Sequence, residues 1–246
     1  MSIPEPHRIH CIETESTNKL ARELSLDSPI TLITAEHQTA GRGQRGNTWE
    51  SETGKNLLFS LITHPSQVPA SQQFVLCELI SVAICDVLLH YTQDICIKWP
   101  NDIYYQDHKL CGILFEHDLE GAFLSRTIIG VGLNVNQSQF TGNAPNPISL
   151  LQVLGHEVER EVLLKEITTH FIGLYSQYST HLLDRNTLHE RYTHLLYRLG
   201  INAEYRDTQG PFTATLLDVA LDGRLILEDL QGHQRDYLFK EVAYII

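Results

Sequence analysis

Arg42 and Arg45 are set among three glycines in the run Gly41-Arg42-Gly43-Gln44-Arg45-Gly46-Asn47-Thr48-Trp49, which closes on an indole. Glycine lets a backbone turn through positive φ and bring its N–H groups close to an anion. Each guanidinium offers a forked, charge-assisted grip on phosphate or carboxylate oxygens. Trp49 adds an aromatic face for a base. The same spelling also suits a surface turn with two solvated arginines, so the flanks must decide. A dinucleotide fingerprint directly follows a strand, opens an apolar helix and meets an acid roughly 20 residues on. Here the strand expected over 31–36 ends several residues early, and residues 47–56 are polar and hold Gly54. A kinase glycine loop fails as well, since neither Val-Ala-Ile-Lys nor Asp-Phe-Gly follows.

Four further segments carry groups suited to a charged ligand. Glu15-Ser16-Thr17-Asn18 precedes a helix, so one of its groups is expected to cap that helix while the others remain free for a polar ligand head. Lys98-Trp99-Pro100-Asn101-Asp102 ends a strand with a lysine, an amide and a carboxylate, a set that could hold a triphosphate and its Mg²⁺, although Asn-Asp is also a common turn pair. Lys109-Leu110-Cys111-Gly112 opens a strand with a lysine, and Gly112 would let a ligand approach the backbone. Gly130 and Gly132 lie inside a strand ending Leu133-Asn134-Val135-Asn136, where they cost β stability and hint that something packs against them; a bulge would explain them equally. Cys111 is not favoured as a nucleophile, for want of a histidine–acid pairing.

Helices and strands must position these groups. Strands are expected over 8–13, 31–36, 57–63, 95–99, 110–117 and 126–135, and helices over 18–25, 71–91 and 161–183, with a last helix from an Asn186 cap to a Gly200 stop. After Gly200 short strands alternate with Asp222-Gly223 and Gln231-Gly232 turns, the signature of a small β-barrel. The expected fold class is α+β, with a unit spanning 1–199 and a barrel spanning 200–246.

A chain of 246 residues with 42% apolar content can furnish a proper core. A formal charge of −12 argues against a nucleic-acid binder with a broad basic face, so Arg42, Arg45 and Lys55 stand out and a small anion is the expected partner. Five cysteines, odd in number and without a Cys-x-x-Cys pair, fit a reducing cytoplasm. The longest apolar stretch, 74–89, contains Glu78 and Asp86, so no membrane span is expected. His189 and His194 lie five apart, roughly 140° around a helix, and do not share a metal-binding face.

Taken in order, Ser16-Thr17-Asn18, the 38–49 segment, Lys98–Asp102, Lys109–Leu114 and Gly130–Asn136 resemble the biotin protein ligases over nearly the whole chain. The resemblance implies a mixed sheet flanked by helices, the biotin/lipoyl ligase catalytic fold, followed by an SH3-like barrel. It implies that biotin and ATP, with Mg²⁺, form biotinyl-5′-AMP, and that the acyl group then passes to a lysine of a biotin carboxyl carrier domain, with no tightly bound prosthetic group. By this resemblance Arg42, Lys98 and Lys109 are catalytic. Ser16, Thr17, Asn18, Gln38, Gly41, Arg42, Gly43, Gln44, Lys109 and Gly112 meet biotin. Arg42, Arg45, Trp49, Asn56, Lys98, Asn101 and Asn134 meet the nucleotide, and Asp102 meets Mg²⁺. The 41–48 loop is expected to close as a lid over the adenylate. Gln44 departs from the family pattern, standing where many members have an arginine. The lipoate-ligase stretch Arg-Arg-x-Ser-Gly-Gly-Gly is absent, and retention of all three cations argues against a non-catalytic sensor. About eight residues precede the first expected strand, too few for a DNA-binding helix pair, so a ligase without repressor function is expected. A homodimer is left open.

Overall fold

The structure, a computed structural model, describes residues 5–24, 28–43, 47–142 and 145–246. Strands β1 (His7–Thr14), β2 (Ile30–Gln38), β3 (Leu57–Thr63), β4 (Ile95–Lys98), β5 (Asp102–Tyr105), β6 (His108–Glu120) and β7 (Phe123–Leu133) form one sheet in the order β1-β2-β3-β7-β6-β5-β4. β1 and β2 run parallel and the remaining pairs antiparallel.

Side chains alternate across a strand, so the register sorts them onto two faces. In β3 and β7 the odd positions Phe59, Leu61, Ile129 and Val131 join the main core. That core is built on α2 (Phe74–Leu88), in which all residues but Cys77 and Asp86 are buried, and on α4 (Arg160–Ser179) packed beside it. Residues Ala70–Leu88 are long and apolar enough to cross a membrane, yet 72% of the most apolar stretch is buried inside the protein. It is the central core helix. The even positions face α1 (Thr17–Glu23), where Ala21 packs on Ile33, Ile62 and Ile128.

Short elements absent from the sequence expectations are β5 and α3 (Leu150–Leu154), the latter held by a Ser149–Gln152 capping box. The last helix, α5 (Arg185–His194), differs from expectation. Its cap is Asp184, whose carboxylate accepts from the N–H groups of Asn186 and Thr187, and the helix ends six residues before Gly200. Asn186 cannot be the cap because its own N–H is one of the groups being capped.

Strands β8 (Asn202–Asp207), β9 (Gly210–Val219), β10 (Leu225–Asp229), β11 (Gln234–Tyr237) and β12 (Ala243–Tyr244) form the second sheet, antiparallel, in the order β11-β10-β9-β8-β12. This is the SH3-like element. Its core residues Tyr205, Leu216, Leu225 and Leu227 are continuous with the main core. Trp99 clasps it: the indole N–H donates to the Gly223 carbonyl at 2.9 Å, and the ring meets Phe239 edge-on at 5.7 Å.

A second link is ionic. Glu78 in α2 is fully buried and pairs with Arg185 and with His189 Nδ1, the latter at 2.6 Å, while His189 Nε2 lies 3.8 Å from Asp218 of β9. The hydrogen bond to Glu78 raises the His189 pKa above its ordinary 6.5. The stabilisation it brings is therefore complete below the ordinary imidazole value and is lost as pH rises through the higher folded value. Denaturant melts are expected to show this loss in the native chain and not in His189→Gln. Glu78→Gln should cost about 3 kcal/mol, the lower end for breaking a buried ion pair, because Arg185 and His189 keep some access to water.

Candidate functional site

The even-numbered face of the sheet forms the floor of a polar site. Register places Ser60 opposite Gly130, Gly130 opposite Leu114, and Gly132 opposite both Leu58 and Gly112. The missing side chains are filled by other residues of the site. A Cβ on Gly130 would stand 2.1 Å from Asn18 Oδ1, and one on Gly132 or Gly112 would stand 2.4 or 2.8 Å from the Trp49 ring. What packs against the strand glycines is therefore Asn18 and the indole of Trp49.

Trp49 is carried by a strap pinned at both ends. Its N–H donates to the Gly41 carbonyl at 2.9 Å, Gly43 N–H donates to Asn47 at 2.7 Å, and Arg42 bridges Thr48. A Cβ at Gly41 would collide with the Trp49 carbonyl at 2.4 Å, so glycine is required for that close approach. Gln44 and Arg45, with Gly46, lie outside the described residues. The Trp49 Nε1–H is buried without a partner among the described residues.

The polar end is assembled from β1–α1, β2 and β3. Ser16, Thr17 and Asn18 are each 3% exposed. Ser16 occupies the helix N-cap but makes no side-chain cap bond, so the expected capping contact is absent. Gln38 Oε1 accepts from Thr17 N–H at 2.8 Å, and the Ser60 hydroxyl donates to Asn18 Oδ1 at 2.7 Å. Asn18 Nδ2 donates to Glu116 at 3.1 Å, and Arg42 lies 3.5 Å from the same carboxylate.

The cationic end comes from β4, β5 and β6. A bulge shifts the β5–β6 register at Ile103/Tyr104, skipping Leu110 and moving Lys109 to the face of Gly112, whose Cβ position its Cε approaches to 3.3 Å. Lys109 pairs with Asp102 at 2.6 Å and its ammonium lies 6.0 Å from the Trp49 ring centroid. Lys98, opposite Asp102 in register, makes no ion pair among the described residues. Its ammonium donates to Tyr104 OH at 3.3 Å and rests 5.1 and 5.4 Å from the Tyr104 and Tyr244 ring centroids. Burial lowers its pKa. Such an ammonium, partly stripped of water and without its own counter-ion, favours an incoming anion.

The three expected amides behave differently. Asn101 and Asn134 each donate to a carbonyl, of Ile113 and Ile148, and each leaves Oδ1 buried with no partner among the described residues. Asn56 is fully engaged, donating to Gln137 and Ser51 and accepting from Val135 N–H, so it ties the start of β3 to the chain beyond β7. Lys55 pairs with Glu157. Cys111 is fully buried and its thiol is pushed upward by burial, which disfavours the thiolate. His189 serves Glu78 and His194 serves the Glu190 carbonyl. Sequence reading missed Ser60, Glu116, Tyr104 and Tyr244. Ser60 was visible as a hydroxyl inside the apolar strand Leu57–Thr63, and Glu116 as the second even position after Gly112.

Such a sheet, cationic on one face and followed by a small antiparallel barrel, has the fold of the biotin protein ligases. The structure of the Aquifex aeolicus biotin protein ligase in complex with biotin and ATP superposes with a TM-score of 0.79 at 23% identity, covering 96% of this chain and 97% of that one. Residues 10–134 match the model of the biotin/lipoate A/B protein ligase family. The bifunctional ligase/repressor BirA of Bacillus spizizenii is 32% identical over 242 residues, 94% of this chain and 72% of that protein. The biotin–[acetyl-CoA-carboxylase] ligase of Paracoccus denitrificans is 30% identical over 176 residues, 68% of this chain and 72% of that protein. The chain belongs to the biotin/lipoate A/B protein ligase family.

The glycine floor is directly testable. Gly132→Ala must displace the indole and should cost about 1–3 kcal/mol, as overpacking does. Tryptophan fluorescence of the variant should be more readily quenched by acrylamide, with Trp99, 5% exposed, as the protected reference.

Proposed function

We propose that Arg42, Lys98 and Lys109 carry the chemistry of this chain, an ATP-dependent ligase that joins biotin to a lysine of a biotin carboxyl carrier domain through biotinyl-5′-AMP. The observation that carries this reading is the meeting of Lys98, Asp102 and Lys109 on the sheet face that also holds Trp49, Asn18 and Gln38. Biotin is placed along Ser16, Thr17, Asn18, Gln38 and the strap, and the nucleotide beside Trp49, Asn101 and Asn134.

In the first step a biotin carboxylate oxygen bonds to the α-phosphorus of ATP and the bond to pyrophosphate breaks. Two anions must approach, so ammonium and guanidinium groups at the junction remove repulsion and stabilise charge that builds in the transition state. Asp102 and the Asn101 Oδ1, which has no partner among the described residues, are hard oxygen donors that suit Mg²⁺, which would supply further charge neutralisation at the phosphates. In the second step a carrier lysine amine bonds to the acyl carbon, AMP departs and the amine releases a proton. No protein nucleophile is required, consistent with the unreactive Cys111.

The change from a mixed to an antiparallel sheet supports a division into a catalytic unit, 1–199, and a barrel, 200–246. Five free cysteines fit a cytoplasmic setting, and the charge of −12 fits an enzyme of small anions and a protein partner, with no broad nucleic-acid interface.

Labelled biotin, Mg-ATP and a carrier domain should give a labelled carrier; preference for lipoate would move the assignment to the lipoyl branch, and binding without turnover would make the chain a sensor. Lys109→Met should slow biotinyl-adenylate formation by about 10²–10³-fold, the cost of deleting one preorganised charge-stabilising group. Its melting temperature should stay near that of the native chain.

A further inference from the structure

Gln38, Thr17, Ser60, Asn18 and Glu116 form a continuous polar relay across the site face, and its two ends have fixed and opposite character. At one end the Thr17 backbone N–H can only donate; it holds Gln38 Oε1 at 2.8 Å and so leaves Nε2 turned toward Gly41. At the other end stand the Glu116 carboxylate, paired with Arg22, and the Leu114 carbonyl, both of them acceptors. Asn18 must therefore present Nδ2 to Glu116 at 3.1 Å and to Leu114 at 3.5 Å, and Oδ1 to the Ser60 hydroxyl at 2.7 Å. The single Ser60 proton is thereby committed, and the Thr17 hydroxyl, 2.8 Å away, is left to donate to Ser60 Oγ or to Gln38 Oε1 at 3.2 Å. Gly130 supplies the space that makes this orientation of Asn18 possible. Glu116 is itself steadied by Arg22 at 3.0 Å and faces Arg42 at 3.5 Å.

We propose that Glu116 is a positioning residue for the acid-substrate site, setting which way the Asn18 amide faces, and with it the donor and acceptor order of the relay. This rests on the reading that Asn18, Thr17 and Gln38 receive the ring of biotin. A ureido ring offers one carbonyl acceptor and two N–H donors, so it is recognised only by a wall whose donors and acceptors keep a fixed order. One reversed amide sets donor against donor and leaves buried groups unpaired. Glu116 acts through Asn18 and does not itself touch substrate.

The test is steady-state kinetics of carrier biotinylation, varying biotin and ATP separately. Glu116→Gln keeps the size but can offer a donor, which lets Asn18 reverse. It should raise the biotin KM about tenfold, the equivalent of one charge-assisted hydrogen bond, while the ATP KM stays within about twofold. Ser60→Ala, which cuts the relay at its centre, should shift the biotin KM in the same direction. A native biotin KM in Glu116→Gln, with Asn18→Ala raising it, overturns the positioning role and leaves the pocket reading standing. Parallel rises in both KM values with a lowered melting temperature would make Glu116 a structural residue and overturn it as well. A native biotin KM in Asn18→Ala removes the pocket reading, and the proposal with it.

Discussion

The two-residue alternation of β3, β6 and β7 is the constraint on which the rest depends. The same eleven residues of β7 must give Ile129 and Val131 to the core and give up all side-chain volume at Gly130 and Gly132 on the other face. A one-residue slip in register would bury the glycines in the main core and turn isoleucine and valine onto the face of the candidate site. The large apolar core on one side therefore fixes the site on the other, and burial of Phe59, Leu61 and Ile129 indirectly holds Asn18 and Trp49 where they sit.

This also changes what the glycines mean. Read as a sequence, Gly112, Gly130 and Gly132 suggest a ligand lying on bare backbone. In the fold they seat an amide and an indole, which in turn form the wall of the site. Strand glycines weaken a sheet, and here that cost is offset by packing of Trp49 and by the Asn18 relay, so the residues that define the wall also repair the strands.

The large elements were legible because their periodicities are strong: the buried run of α2, the alternation of β3 and β7, and the turns of the barrel. Less legible were elements set by tertiary contact. β5 has four residues and pairs on both sides, so its identity comes from β4 and β6 and not from its own pattern. α3 carried a visible Ser149–Gln152 capping signature that sequence reading passed over. Lys98, Lys109 and Asn18 could be named from residue type and order, but the bulge that turns Lys109 onto the site face is a feature of strand pairing. Glu116 and Ser60 carry no motif of their own. Their roles exist only once β3 and β6 are brought into register around β7.

The barrel matters to the site through its effect on an edge strand. β4 has four residues and lies at the end of the seven-stranded sheet, where a strand has one unpaired side and little to hold it. Here that side is taken up: Ile97 N–H donates to the Leu195 carbonyl at 2.7 Å, and Tyr197 N–H donates back to Ile97 at 2.8 Å. Trp99 is then fixed by Gly223 and Phe239, and Tyr244 of the last strand faces the Lys98 ammonium. A lysine side chain free in water carries about 2 kcal/mol of rotamer entropy, which must be lost when it is placed against an anion. Holding Lys98 between Tyr104 and Tyr244 incurs that loss during folding and not during binding. The barrel thus acts on the proposed chemistry by preorganising a cation on a short edge strand of the sheet.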